Sequence, residues 1–229
     1  MISNGEFVGR VVNDLNALTK DAHISKRWIL SIGRTKSESY VVQHWDDGSL
    51  LEDTTLQTCV SCIPMIEVDK IDCCDAAFSL CGVLMRSKER LPGLLFSTYG
   101  PLISSVSNVD GTRFYKYQRI EAYRNEQKRK YADKAQKRYY INDGYLYIPD
   151  DHIELVNVCY FTMDRDDALA LSACKPVKTC ISEWDKEFIY PVKLIEYIVS
   201  ETLKECSTKI QIPDDDNPDL DTNQKTRTS

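Results

Sequence analysis

The sequence is poor in the residues that do acid–base and metal chemistry. It has three histidines, His23, His44 and His152, and none stands in a metal-binding or nucleophile-activating motif. Gly33-Arg34-Thr35-Lys36-Ser37 ends like a phosphate-binding loop but lacks the glycine-rich loop and the strand before it. Acidic pairs are frequent, yet none has a spacing that marks an acid and a base. This inventory argues against an enzyme and for no cofactor. Long apolar runs are missing too: none approaches the ~20 residues a membrane helix needs. Met1–Glu6 lacks the basic-then-apolar layout of a signal peptide, and no Asn-x-Ser/Thr sequon occurs. The expectation is a protein made and kept in a cytoplasm, with no membrane partner.

Cysteine, by contrast, is abundant. Nine cysteines, an odd number scattered through apolar stretches, predict reduced thiols used as small hydrophobes. The net charge of −6 argues against general nucleic-acid coating but leaves room for one basic face. A chain of 229 residues buries roughly 70–75% of its unfolded surface, enough for one large or two small cores.

Ser3 and Glu6 have capping-box spacing, and Phe7, Val8, Val11, Val12, Leu15, Leu18 and Ala22 mark one apolar face of a helix. Ser25 starts a second helix through Trp28, Ile29, Ile32, Tyr40, Val41 and Trp45, weakened at Gly33 by about 1 kcal/mol relative to Ala. Cys59–Asp69 reads as a strand, with Pro64 pushing it towards an edge or a bulge. Asp110-Gly111 and Asn142-Asp143-Gly144 are hairpin signals, and Ile153–Phe161 is a further strand. Glu121–Gln136 switches to helix formers. Leu194, Ile195, Ile198, Thr202, Leu203 and Cys206 share a face of a terminal helix. The expected fold class is α+β: a helical bundle of two N-terminal helices plus the C-terminal helix, a β-rich middle region, and an extended C-terminal arm. The expected organisation is a bundle core from 1–50 and 183–207, a β-rich region over 51–182 with one basic helix at about 121–138, and an acidic arm over 208–229.

Three residue sets invite a chemical reading. Cys59-x-x-Cys62 followed by Cys73-Cys74 offers four sulfurs for zinc, but adjacent cysteines rarely both reach one tetrahedral metal, so buried structural cysteines are preferred and no metal is expected. Arg124, Lys128, Arg129, Lys130, Lys134, Lys137 and Arg138 form a basic stretch interleaved with tyrosines. It reads either as a face for DNA phosphate or an acidic partner, or as a solvated helix balancing the acidic remainder. Asp214–Asp221 mimics the start of a calcium loop, but Leu220 stands where glycine is obligatory and no glutamate closes it. This segment reads instead as an arm, with Ile210, Ile212 and Leu220 flanking or following Asp214, Asp215 and Asp216. It cannot bury enough apolar surface to order itself alone, so another chain is expected to hold it.

The helix GEFVGRVVNDLNAL, the second helix ISKRWILSIGRTKSESYVVQ, the stretch CIPMIEVDKIDCCD, the hairpin YYINDGYLYIPD and the terminal EFIYPVKLIEYIVSETLKE running into IPDDDNPD together resemble a neck ring protein of crAss-like bacteriophages, a portal-docking head-to-tail adaptor. The resemblance covers most of the chain and carries no catalytic signature. It implies a structural virion protein, assembled in the host cytoplasm. It implies a homo-oligomeric ring of twelve copies with the portal protein and adjacent tail ring proteins as partners, and a bore through which DNA passes transiently without sequence recognition. A DNA-binding accessory protein using Arg119–Arg138 is the alternative.

Overall fold

A computed structural model describes residues 2–18, 24–47, 56–68, 83–127, 136–149, 151–174, 182–190 and 194–210; the side chains of 18, 124, 126, 127, 209 and 210 are outside the description. The elements in chain order are α1 (Asn4–Leu18), α2 (Lys26–Asp46), β1 (Gln57–Glu67), β2 (Leu84–Ser87), β3 (Phe96–Ser97), β4 (Gly100–Pro101), β5 (Ile103–Asn108), β6 (Phe114–Tyr117), α3 (Ile120–Gln127), β7 (Arg138–Asn142), β8 (Tyr145–Pro149), β9 (Leu155–Phe161), α4 (Arg165–Leu169) and α5 (Ile195–Ile210).

Seven strands close into a barrel in the order β1-β2-β8-β7-β6-β5-β9, while β3 and β4 form a separate short hairpin. Closure leaves no unpaired sheet edge within the barrel. All neighbours are antiparallel except β6 and β7, which run parallel, with Lys116 opposite Arg138 and Tyr117 opposite Tyr139. A parallel pair needs a crossover, and the chain makes it through α3. The two hairpin signals act as their chemistry requires. Asp143 and Gly144 adopt φ of 49° and 77°, the left-handed values of a tight primed turn that glycine takes without strain. Alternation then sends Val106, Leu146, Ile148, Val156, Val158 and Tyr160 inward, each fully buried.

The expectation of a helical bundle with a β-rich middle is overturned: the dominant unit is the closed seven-stranded barrel. The strand signals were local, whereas closure depends on pairings such as Cys59 with Cys159 that no local pattern encodes. Pro64 does not sit on an edge, since β1 pairs with β2 on one side and β9 on the other. The strand accommodates a bulge instead, between Val60 and Ile63, where Cys62 takes φ 58°.

α1, α2 and α5 pack beside the barrel around Phe7, Val11, Ile29, Ile198 and Phe188. The capping box forms as its spacing predicts: the Ser3 amide donates to Glu6 Oε2 at 2.8 Å, and the Glu6 amide donates to Ser3 Oγ at 3.1 Å. Gly33 has a packing reason. A Cβ there would lie 2.3 Å from Phe7 Cε1, so glycine lets α1 and α2 approach around a ring that itself stacks on Phe188 at 4.0 Å. Val41, Leu56, Leu102 and Phe161, flanked by Trp45, join the C-terminal half of α2 to the barrel. α5 runs antiparallel to α2: Tyr197 near its start meets Tyr40, and Glu205 near its end meets Lys36 at 2.9 Å. The end of α5 therefore lies towards the start of α2, away from the barrel.

The cysteines also differ from expectation. Cys59 is bonded to Cys159 and Cys62 to Cys174. Strand pairing sets Cys59 directly beside Cys159, and the bulge turns Cys62 towards the segment after α4, where the Ala173 amide donates to the Cys62 carbonyl at 3.1 Å. Cys206 is a buried thiol.

Candidate assembly interface

The sequence-marked residues divide between two places. Ile210 is the last residue of α5. The helix thus continues past residue 208, the expected start of the arm. Ile212, Asp214, Asp215, Asp216 and Leu220 lie outside the described residues, as do Lys128, Arg129, Lys130 and Lys134. Arg124 lies on α3. Lys137 and Arg138 are not on that helix, because Arg138 opens β7. Of this set, Lys137 and Arg138 therefore stand at the start of β7.

Outward positions on β6 are Phe114, 65% exposed, and Lys116, also exposed; inward positions are Tyr115, buried, and Tyr117, which packs against the barrel core. Parallel register puts Lys116 beside Arg138. Arg119, just past β6, donates from Nη2 to the Thr98 carbonyl at 2.8 Å. That bond ties the wall to the β3–β4 turn, whose Tyr99 is 72% exposed. The exposed outer positions of β6 are thus one aromatic, Phe114, and one cation, Lys116.

The inner side of the same strands is anchored by a carboxylate. Asp151 accepts hydrogen bonds from Tyr115 Oη at 2.8 Å and from Arg113 Nη1 at 3.0 Å, with Lys137 Nζ 3.6 Å away. Burial opposes ionisation of Asp151, but the Tyr115 hydroxyl, Lys137 and Arg113 outweigh it and hold its carboxyl below the ordinary range. Burial and then Asp151 push the Tyr115 hydroxyl up to about 12. Sequence reading missed Asp151. Its link to Tyr115 spans 36 residues, and no local pattern joins the two.

Between the helices and the barrel, Arg34 pairs with Glu183, and Arg165 with Glu187 at 3.3 Å. Glu38 lies in this joint; burial first, then nearby Asp164, raises its carboxyl, and Arg34 partly offsets them. An open groove of about 360 Å³ beside it is lined by Arg27, Leu30, Arg34, Glu38 and Trp184. Its charges are mixed, so it selects neither sign.

Cys59 and Cys62 are bonded to other cysteines, and Cys73 and Cys74 lie outside the described residues. Among the described residues, no group of three or more metal-ligating side chains converges, and no helix is long and apolar enough to cross a membrane.

No curated protein matches the chain. One protein family does match, over residues 6–225, nearly the whole length, and its description is phage tail ring protein 2. That span takes in both helical segments, the barrel and most of the segment beyond α5. The chain therefore belongs to the crAss ring family of phage tail ring proteins, structural components of the virion.

Proposed function

We propose that this chain forms a ring in the phage neck, joining the portal to the tail and enclosing the passage through which DNA moves. The single observation that supports this reading is the family match over 6–225. A ring of identical subunits needs heterologous contacts, in which one face of each copy meets a different face of the next. The segment beyond Ile210 supplies one such face. Ile212 and Leu220 bracket Asp214, Asp215 and Asp216, a pattern suited to a basic surface on a neighbouring copy or on the portal. Copy number follows from symmetry with the portal, and twelve is the number proposed.

The test is the ratio of this chain to portal protein in purified virions, by quantitative mass spectrometry. A ratio near one supports a ring matched to the portal. Absence from virions removes the connector role. In that case a salt-sensitive gel shift on DNA would place function in the basic residues Arg119–Arg138 instead.

A further inference from the structure

We propose that the tip of the β5–β6 hairpin of one copy inserts into the groove beside α2 of the next copy. This contact rests on the ring reading above and names the two faces at which neighbouring copies meet.

The tip is a rigid projection with an apolar residue on each arm. Val109 is 44% exposed and Phe114 65%, and residues 110–113 between them are exposed too. The turn is held from several sides. Gly111 takes φ 67°, and its amide donates to the Asn108 carbonyl at 3.0 Å. Asn108 Nδ2 donates to Thr112 Oγ1, and the Arg113 amide donates to Asn108 Oδ1, both at 3.0 Å. From β9, Asn157 Nδ2 donates to the Val109 carbonyl at 3.1 Å, and Asp151 grips the Arg113 side chain. A loop already fixed in one shape loses little conformational freedom when it docks.

The groove suits such a knob. Its volume is about 360 Å³, and Leu30 and Trp184 supply its apolar lining. A cavity of roughly 150 Å³ already takes a benzene ring, so the Phe114 ring enters whole. Aromatic anchors seated in pockets carry much of the binding energy at protein interfaces. Charge matches as well. Within the groove Arg34 pairs with Glu183 and also favours the ionised form of Glu38. Exposed Arg27 has no carboxylate partner among the described residues, and Asp110 at the tip has no cation. Docking gives each the counter-charge it lacks.

The two faces lie at opposite ends of the barrel. Asn108 pairs with Val156 near the start of β9. At the other end of β9, Phe161 packs on Trp45 of α2. Arg34 of the groove also lines a cleft with Met163 and Asp164, just past that end. Seven residues of β9 at about 3.3 Å each separate the two ends by roughly 20 Å. A tip therefore meets a groove only on another copy, and contact between two unlike faces is what a ring requires.

The test uses the full chain. Phe114 is replaced by the photo-cross-linker p-benzoylphenylalanine in a mixture of light and heavy isotope-labelled protein, and irradiated products are mapped by mass spectrometry. The expected product joins position 114 of one label to a peptide holding Arg27–Glu38 or Trp184 of the other. In parallel, self-association is followed by native mass spectrometry. F114A should raise the concentration needed for association about tenfold. D110R alone and R27E alone should each raise it about threefold, and the two together should restore it. Circular dichroism confirms that each variant folds. The contact is wrong if cross-links stay within one copy or land elsewhere on the neighbour, segment 211–229 included. It is equally wrong if F114A associates normally, if the charge pair does not rescue, or if the intact chain stays monomeric. Any of these results with a virion ratio near one leaves the ring standing without this contact, whereas absence from virions removes both.

Discussion

The barrel and the helical layer are held together in different ways. Helices α1, α2 and α5 meet through aromatic and aliphatic side chains, with Phe7 stacked on Phe188 at the centre. Their local signals are strong: a formed capping box at Ser3 and Glu6, and apolar residues at helical spacing. The barrel depends on contacts distant in sequence. β1 pairs with β9 about a hundred residues on, reinforced by Cys59–Cys159 with a separation of 100. Nonlocal pairing costs loop-closure entropy before it repays it, whereas helical contacts repay sooner. One region is written in short-range code, the other in long-range register.

Perturbations that strike one region should leave the other standing. The largest effect is expected for Phe7→Ala, at about 4 kcal/mol, because it opens a cavity among three helices. Hydrogen exchange should show α1 and α5 amides losing protection while β9 amides keep theirs. Loss of protection throughout would mean that the joint at Trp45 and Phe161 makes the two regions one cooperative unit. Next is Cys59→Ser with Cys159→Ser, expected to cost about 3 kcal/mol through the denatured chain. Denaturant midpoints with and without reductant check it: reductant should lower the midpoint of the native protein more than that of the double variant.

Asp151→Asn should cost about 2 kcal/mol, since the charge-assisted bonds from Arg113 and Tyr115 weaken. The pH dependence has a definite sign. A carboxyl held below its unfolded value contributes stability that is present above the unfolded pKa and is lost as pH falls through the folded one. The native barrel should therefore lose thermal stability on acidification from pH 5 to pH 3 more steeply than the Asn variant. Glu38, raised by burial, contributes with the opposite sign, so its Gln variant should gain relative stability as pH rises above the carboxylate range. The smallest effect is Ser3→Ala, about 1 kcal/mol from the lost cap, read as fraying of the first turn of α1.

How much of this was legible follows the same division. α1, α2 and both hairpin turns stand where capping, periodicity and Asn-Asp-Gly chemistry put them. Gly33 looked like a weakness in a helix and proved to be the space Phe7 requires. The barrel was not legible, because alternation says which face of a strand is buried but not which strand lies beside it. The parallel placement of β7 against β6 follows from a crossover that leaves no local mark. The disulfides were misread for the same reason: Cys59 meets Cys159 only once the register is known.

β6 is the slightest stave of the barrel. On one side it is registered through Tyr115 with Val106 and Phe114 with Ser107, and on the other through Lys116 with Arg138 and Tyr117 with Tyr139. β1 and β9, in contrast, are laced along nearly their whole length. Under mechanical load, the cylinder should split first along β6, as a cask fails at its thinnest stave. The grip of Asp151 on Tyr115 works as the hoop at that point.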